Sequence, residues 1–226
     1  MDESRRDFKD TATAPDTILG TTYLYRVRPA VSVFTDEPCM PLSAVRRPFN
    51  DVSETASFAA AVSWASSQGI VRGTSKTSFS PYSECERYQF AVMLYKMAGQ
   101  PVVDTGNFPF TDVTENDSFY RAVVWAYNRG IISGTSRTKF SPHGIIKRYQ
   151  AVQMLYKLAG KPSVQNVPNR FSDVSEGNSY YRAVLWAAKK GITSGTTATT
   201  FSPDASCLRC QMAVFLYRYA QRIGLS

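Results

Sequence analysis

A pattern that recurs every 61 residues is the strongest constraint on how this chain of 226 residues folds. The tetrapeptides FNDV, FTDV and FSDV begin at Phe49, Phe110 and Phe171, and no insertion disturbs the register that follows them. The same interval relates Trp64, Trp125 and Trp186, and also Phe79, Phe140 and Phe201. A unit of this length buries too little apolar surface to be stable alone, so we expect three copies to share one core.

Each copy predicts two helices joined by a loop. In the second copy, SFYRAVVWAYNRG places Phe119, Val123 and Tyr127 on one helical face, and Gly130 ends the helix. The stretch RYQAVQMLYKLAG predicts a second amphipathic helix that closes at Gly160. The sequence therefore predicts an all-α fold of three helix-loop-helix repeats. The repeats span residues 49–109, 110–170 and 171–226.

The loop between the two helices is also written three times, as in GIISGTSRTKFSP from Gly130 to Pro142. Gly130 and Gly134 permit backbone conformations that other residues avoid, and the hydroxyl side chains can bond loop amides. We expect Phe140 to enter the core and the loop to serve mainly as a scaffold. The residues leave open that its backbone and hydroxyl groups face a ligand.

Residues 1–48 lie outside the repeats. The stretch TTYLYRVRPAVSVF alternates apolar and polar positions from Tyr23 to Val33, which predicts a β-strand. It is similar to a late strand of fibronectin type III modules. Three prolines then mark a linker into the first repeat. We interpret this segment as a short arm, or as the remnant of an upstream β domain, followed by the linker.

The charge of the chain is concentrated in the repeats. Residues 1–48 hold equal numbers of basic and acidic side chains, so the repeats carry the whole formal net charge of +8. This excess indicates an anionic partner: nucleic acid, a membrane surface or an acidic wall polymer. The basic residues form no consecutive block, which disfavours nucleic acid. No apolar run reaches the roughly 20 residues of a membrane span, so we expect no membrane insertion.

The start of the chain shows no secretory signal, because the residues after Met1 lack an apolar segment. Two expectations follow: the protein stays inside the cell, or Met1 opens a fragment of something longer.

The cysteines and the single histidine do not predict a metal site. CLRC, from Cys207 to Cys210, has the spacing of redox and zinc sites, but zinc needs four ligands and His143 lies in another repeat. Cys85 and Cys207 occupy equivalent positions, which favours packing of small residues and leaves pairing of Cys207 with Cys210 under oxidation open. The chain has no GxSxG or HExxH motif, so we expect no catalysis and no cofactor.

The order of these elements resembles the S-layer homology (SLH) domain family. The resemblance rests on FxDV, an aromatic-led helix ending in GIxxG, then FxP, and a helix that starts around an arginine. It implies that the repeats form one pseudo-threefold unit, with one helix of each repeat in a central bundle and grooves between neighbouring repeats. It also implies a non-catalytic module at the cell wall that binds secondary cell-wall polysaccharide, which often carries acidic groups.

The resemblance further implies a set of ligand residues. The family's TRAE motif corresponds here to ERYQ, KRYQ and LRCQ, and its arginine contributes to the ligand groove. A guanidinium at a helix N-terminus suits a carboxylated sugar, whereas the structural alternative is an arginine that holds a loop carbonyl or an aspartate. The expected ligand-binding residues are Arg87, Arg148, Arg209, Gln89, Gln150, Gln211, Tyr120 and Tyr181.

Two departures from the family motif concern the start of the second helix. Gln replaces the Glu of the capping box, and the capping position holds Glu86, Lys147 or Leu208, none of which is a good N-cap. We expect Ser83 or Ser206 to take that role with a shifted boundary.

The aspartates of the FxDV motifs are expected to have a structural role. Asp51, Asp112 and Asp173 are predicted to bond backbone amides where the chain turns into the first helix. The tryptophans of the first helices are predicted to lie in the core.

Two functions from different classes fit these residues. The first is a wall-binding module that anchors a surface protein through anionic cell-wall polysaccharide or peptidoglycan. The second is a structural or assembly protein that uses the SLH fold to contact other surface or virion proteins, for example in a phage particle or a surface appendage.

Overall fold

The structure, a computed structural model, describes residues 49–224. Six helices occupy this part of the chain: α1 (Ala59–Ser67), α2 (Arg87–Met97), α3 (Tyr120–Asn128), α4 (Arg148–Leu158), α5 (Tyr181–Lys189) and α6 (Arg209–Ile223). Between residues 49 and 224 the only β pairing consists of three isolated bridges. The predicted all-α fold of helix-loop-helix repeats is confirmed. The strand and linker predicted for residues 1–48 lie outside the described residues, and the repeat boundaries stay predictions.

Glycines end the helices where the sequence places them. Gly130 follows α3 with φ at 66°, and Gly160 follows α4 with φ at 77°, a left-handed conformation that favours glycine. Gly134 is needed for a different reason from the one the sequence suggests. A Cβ atom on Gly134 would lie 2.6 Å from the carbonyl oxygen of Lys139, so the loop has no space for a side chain there.

The helices pair between repeats. Helix α2 packs against α3, α4 against α5, and α6 against α1, so that each second helix lies on the first helix of the following repeat. The three pairs share one aromatic contact with the same ring separation of 5.5 Å. These contacts join Tyr95 to Trp125, Tyr156 to Trp186, and Tyr217 to Trp64. The pairing of α6 with α1 closes the three repeats into a ring.

A cycle of three backbone hydrogen bonds marks the pseudo-threefold axis. Cys85 N donates to the Cys207 carbonyl, Cys207 N to the Ile146 carbonyl and Ile146 N to the Cys85 carbonyl, each at 2.9 Å. All three side chains are fully buried. Burial raises the pKa of the Cys85 and Cys207 thiols to about 12, which keeps both protonated and unreactive. The thiols of Cys207 and Cys210 are free in the structure.

Phenylalanines from the loops form the core beneath each pair of helices. Phe79, Phe140 and Phe201 are at most 1% exposed. The phenylalanine of each FxDV motif contacts one of them, at ring separations of 5.4 to 5.8 Å. The predicted entry of the loop phenylalanine into the core is therefore what the structure shows.

Candidate functional site

The contacts between neighbouring repeats form three equivalent surfaces, which we call junctions. At junction 1–2 the N-terminus of α2 meets the loop that precedes α4. At junction 2–3 the N-terminus of α4 meets the loop that precedes α6. At junction 3–1 the N-terminus of α6 meets the loop that precedes α2. The predicted arginines and glutamines lie at these helix starts.

Backbone amides at the start of each second helix already have partners across the junction. At junction 1–2, Arg87 N donates to the Gly144 carbonyl at 2.9 Å and Tyr88 N to the Pro142 carbonyl at 3.0 Å. The same two bonds recur at the other junctions, from Arg148 and Tyr149 and from Arg209 and Cys210. These amides are therefore engaged in holding the neighbouring repeat.

The second helices start without a conventional cap. Glu86, Lys147 and Leu208 are the N-cap residues, and none makes a side-chain capping bond, so the shift to Ser83 or Ser206 does not occur. Each predicted glutamine instead bonds back to the helix start. The Oε1 atoms of Gln89, Gln150 and Gln211 accept the amide of the N-cap residue at 3.2, 2.9 and 3.1 Å.

The predicted arginines are buried and hold loop carbonyls of the next repeat. Arg87, Arg148 and Arg209 are only 4 to 8% exposed. Their Nε atoms donate to the carbonyls of the core phenylalanines at 2.9 to 3.0 Å, and each guanidinium lies over the same ring at 4.6 to 5.0 Å. This geometry matches the structural alternative left open by the sequence, and it leaves the ligand-binding role a prediction.

Arg148 differs from the other two arginines in one bond. Arg87 Nη2 donates to the Ser133 carbonyl, and Arg209 Nη2 donates to the Arg72 carbonyl, both at 2.9 Å. The equivalent carbonyl at junction 2–3 belongs to Ser194, which accepts a bond from Arg170 instead. Arg148 therefore has more donor capacity free than its two counterparts.

The FxDV aspartates bond amides of the loop ahead of the second helix, not of the turn into the first helix where the sequence placed them. Asp112 accepts Phe140 N at 2.9 Å and Ser141 N at 2.8 Å. Asp51 and Asp173 accept the equivalent pairs. Although burial raises the pKa of the Asp51 and Asp112 carboxyls, these amide bonds outweigh it and lower the pKa.

Each core phenylalanine is thus held at both ends of its backbone. Its amide is bonded by the aspartate of its own repeat, and its carbonyl is bonded by the arginine of the preceding repeat. We call the arginine, the aspartate and the phenylalanine of a junction its inner layer.

The two predicted tyrosines lie away from the helix N-termini that form the junctions. Tyr120 is buried and packs edge-on against Phe108 at 5.6 Å. Tyr181 is half-buried, and its hydroxyl donates to Glu176 at 3.5 Å. The aromatic residue one position earlier is the one that lies at the junction, as Phe119 and Tyr180 show below.

Four positions cover the inner layer at each junction, and we call them its outer layer. They are the N-cap residue, the residue two positions after it, the loop residue that faces them, and the aromatic residue just before the first helix of the next repeat. At junctions 1–2, 2–3 and 3–1 the N-cap residues are Glu86, Lys147 and Leu208. The residues two positions after them are Tyr88, Tyr149 and Cys210. The loop residues are His143, Asp204 and Tyr82, and the aromatic residues are Phe119, Tyr180 and Phe58.

At junction 1–2 the outer layer is a compact cluster. The rings of Tyr88 and Phe119 lie 4.3 Å apart, and His143 packs edge-on against both. His143 Nδ1 is 2.9 Å from Glu86 Oε2. The charged side chain at this junction is therefore acidic and is engaged with the histidine.

At junction 2–3 a tyrosine pair lies beside an open pocket. Tyr149 and Tyr180 have ring centres 4.7 Å apart, and Lys147 Nζ is 3.5 Å from Asp204 Oδ1. The pocket next to Tyr180 has hydroxyl, amide and carboxylate groups in its lining, including Asp173, Asn178, Ser202 and Asp204. Burial raises the pKa of the Tyr180 hydroxyl, and the nearby Asp204 adds to this effect.

At junction 3–1 the outer layer carries no charge. Leu208 is the N-cap residue, and Cys210 stands where the other junctions have a tyrosine. Phe58 and Tyr82 contact each other edge-on at 5.8 Å, and Tyr82 is 71% exposed. The outer layer is not predicted as a set from the sequence, although positions 61 residues apart show where the repeats differ.

The rest of residues 49–224 offers no competing metal or membrane element. No group of three or more His, Cys, Asp or Glu side chains in this range is placed to hold a metal ion. None of its helices combines the length and hydropathy of a membrane span.

The repeats that build these junctions match a known family. The chain belongs to the S-layer homology domain family, whose model matches residues 48–91, 109–152 and 170–213. Each match begins next to an FxDV motif and ends in a second helix, so it covers the elements that form the junctions.

Curated relatives include surface proteins and enzymes. The chain is 29% identical to an endoglucanase from Bacillus sp. strain KSM-635 over 74% of its own length and 18% of the relative. It is 28% identical to an amylopullulanase from Thermoanaerobacterium thermosulfurigenes, over 70% of the chain and 9% of the relative. It is 26% identical to an S-layer protein from Bacillus thuringiensis subsp. finitimus, over 81% of the chain and 22% of the relative.

The chain thus spans less than a quarter of the length of these relatives. The part of this chain that is matched is therefore shared by an S-layer protein and by enzymes. The family match and the S-layer relatives support a non-catalytic anchoring module at the cell surface.

Proposed function

We propose that this module anchors a larger surface protein by binding an anionic cell-wall polysaccharide, and that junction 2–3 is the principal binding groove. The observation that carries the proposal is the composition of that junction. It combines a tyrosine pair, an exposed lysine and an open pocket with several hydrogen-bonding groups.

These groups suit a charged sugar. A sugar ring presents both C–H faces and hydroxyl groups, so it is bound well by an aromatic ring next to polar side chains. Tyr149 and Tyr180 supply the aromatic surface, and Asn178 and Ser202 supply polar groups. Lys147, with a side chain that is 46% exposed, supplies positive charge at the rim.

Arg148 keeps a place in this proposal as a donor below the groove. Burial lowers the pKa of its guanidinium, but arginine stays protonated in proteins, so it contributes a fixed positive charge. The other predicted ligand contacts stay predictions; they involve Arg87, Arg209, the three glutamines, Tyr120 and Tyr181. The geometry supports them less, because these side chains are buried or are bonded within the fold.

The other two junctions suit an anionic glycan less well. The outer layers of junctions 1–2 and 2–3 each contain one carboxylate, Glu86 or Asp204, but only junction 2–3 has a lysine beside it. Junction 3–1 has Leu208 and Cys210 where junction 2–3 has Lys147 and Tyr149, so it lacks both the cation and the tyrosine. The formal net charge of +8 supports attraction to an anionic wall in general.

The test is co-sedimentation of the full chain with purified Gram-positive cell walls, before and after acid removal of the secondary polymers. We expect binding to native walls and its loss on stripping. Binding that survives stripping would identify peptidoglycan as the partner. Absence of binding to walls from several hosts would overturn the proposal and favour contacts with surface or virion proteins.

Residue-level support comes from a matched pair of variants. Tyr149→Ala at junction 2–3 is expected to weaken sedimentation with native walls. Tyr82→Ala removes an exposed ring at junction 3–1 and is expected to leave it unchanged. Equal losses in both variants would contradict the choice of junction 2–3.

A further inference from the structure

The connection from α2 to α3 packs an aromatic ring against the first helix of repeat 2. The ring of Phe108 lies edge-on to Phe110 at 5.3 Å, to Tyr120 at 5.6 Å and to Tyr127 at 6.0 Å. Phe108 and Tyr127 together fill the space between this connection and α3. The packing shows that an aromatic ring fits this place in the repeat.

Repeat 3 has an equivalent space between its connection and α5, but it lacks both of the aromatic rings that fill this space in repeat 2. The residues 61 positions after Phe108 and Tyr127 are Asn169 and Ala188. The side-chain amide of Asn169 is bonded within its own segment, since it donates to the Val174 carbonyl at 2.6 Å and accepts Phe171 N at 3.0 Å. The smaller residues leave repeat 3 with space that repeat 2 does not have.

The result is a pocket of about 260 Å³ between the connection from α4 to α5 and α5 itself. Its walls include the apolar side chains of Val167, Pro168, Phe171, Leu185 and Ala188. An apolar cavity of about 150 Å³ is enough to hold benzene, so a six-membered aromatic ring fits here.

Two basic side chains stand at the same pocket. Arg170 and Lys189 take the places that Pro109 and Asn128 hold in repeat 2. The Arg170 guanidinium lies 4.9 Å from the centre of the Phe171 ring, and its Nη2 donates to the Ser194 carbonyl at 3.0 Å. The lining residues include no Asp or Glu, so the positive charge at the pocket has no acidic partner in its walls.

We infer that this pocket binds a ligand in which an aromatic ring is joined to a carboxylate. The ring occupies the place that Phe108 occupies in repeat 2, and the carboxylate meets Arg170 and Lys189 at the mouth. All four differences from repeat 2 favour such a ligand: two aromatic rings are absent, which opens the pocket, and two basic side chains are present, which supply charge. The site is separate from the junctions and does not depend on binding to the cell wall.

The experiment uses phenylacetate as the probe and the full chain labelled with ¹⁵N. Amide shifts in the NMR spectrum are expected to be confined to residues 166–171 and to Leu185 and Ala188. Two control compounds separate the parts of the ligand: 2-phenylethanol keeps the ring without the charge, and acetate keeps the charge without the ring. We expect 2-phenylethanol to bind about two- to fivefold more weakly than phenylacetate, and acetate to leave these amides unshifted.

Two double variants complete the test; three of their four substitutions introduce the residue of repeat 2, and Arg170→Gln removes the charge of Arg170 without introducing a proline. Asn169→Phe with Ala188→Tyr fills the pocket and is expected to abolish the shifts. Arg170→Gln with Lys189→Asn is expected to reduce phenylacetate to the affinity of 2-phenylethanol, whose own binding does not change. If the filled double variant does not give a folded spectrum, Ala188→Tyr alone serves the same purpose.

Three results would overturn the inference. They are no shift with phenylacetate up to its solubility, equal shifts with acetate, and unchanged phenylacetate binding in the filled variant.

Discussion

The inner layer contains the same three residue types at all three junctions, whereas the residues of the outer layer differ at each. An arginine, an aspartate and a phenylalanine recur with hydrogen bonds that agree within a few tenths of an ångström. Above them lie an acid with a histidine, a lysine with an aspartate, and an uncharged pair. The fold requires the first set to be repeated, and the second set is where we propose that recognition takes place.

This difference explains how a ring of three repeats can carry unequal sites. Each repeat is held by the preceding one through buried bonds, so loss of any inner layer would open the ring. Apart from the buried Phe119 and Cys210, the outer residues are partly or fully exposed, and we expect changes at these exposed positions to leave the fold intact. We therefore expect variants of the two layers to act on different measurable quantities.

The largest expected effect comes from an inner-layer arginine. Arg209→Ala removes two hydrogen bonds from a charged donor and leaves two loop carbonyls without it, so we expect a loss of about 3 kcal/mol in the free energy of unfolding. Arg148→Ala removes one such bond, and we expect about half that loss. Urea unfolding measures both values.

Arg121, which is exposed on α3, provides the control, and Arg121→Ala should change stability very little. Equal losses for Arg148→Ala and Arg209→Ala would break the link between the number of loop bonds and the stability of a junction.

A smaller effect is expected from the aspartate of the inner layer. Asp112→Asn keeps the shape but replaces one of the two acceptor oxygens by an NH₂ donor, so one amide bond is lost and the other is weakened. Since the residue is partly exposed, we expect a loss of about 1 kcal/mol at neutral pH. The folded state lowers the pKa of this carboxyl, so its contribution is present above the ordinary carboxyl pKa and is lost as the pH falls through the folded value.

Urea unfolding across the acid range measures this dependence. Stability of the parent chain should fall below about pH 4, and the fall should be shallower in Asp112→Asn. Identical slopes in the two proteins would show that the carboxylate charge does not strengthen the inner layer.

The helices could be predicted from the sequence because their signals are local. The apolar spacing of SFYRAVVWAYNRG and the glycines at 130 and 160 define helices without reference to the rest of the chain. The pairing of helices between repeats could not be predicted in this way. An apolar face is equally compatible with a partner in the same repeat or in the next one, and only the ring closure selects the second.

The candidate site was predicted in position but not in detail. The arginine motif located the junctions, yet the sequence could not show that Arg87 and Arg209 are occupied by carbonyls of another repeat. The roles of Tyr120 and Tyr181 in ligand binding stay predictions. The sequence does not show that Phe119 and Tyr180, one position earlier, are the aromatic residues that lie at the junctions.

Exchanges within the outer layer are expected to change binding and leave stability unaltered. Lys147→Glu places the residue of junction 1–2 at junction 2–3, and we expect about fivefold weaker sedimentation with anionic walls. The Lys147–Asp204 pair has side chains that are 46 and 74% exposed, so its loss should cost less than about 1 kcal/mol.

Glu86→Lys is the reciprocal exchange, and it should maintain or increase binding to the same walls. If Lys147→Glu did not weaken sedimentation with the walls and Glu86→Lys did not increase it, the charge of the outer layer would not determine where the glycan binds.

The smallest expected effect is at the histidine of junction 1–2. The His143 side chain is 70% exposed, and its contact with Glu86 lies at the surface, where such pairs contribute little. His143→Gln should change the free energy of unfolding by no more than about 0.5 kcal/mol, as measured by urea unfolding at neutral pH. A loss above about 1 kcal/mol would mean that the packing of His143 against Tyr88 and Phe119 helps to hold the ring together, and the two layers would then not be separable at this junction.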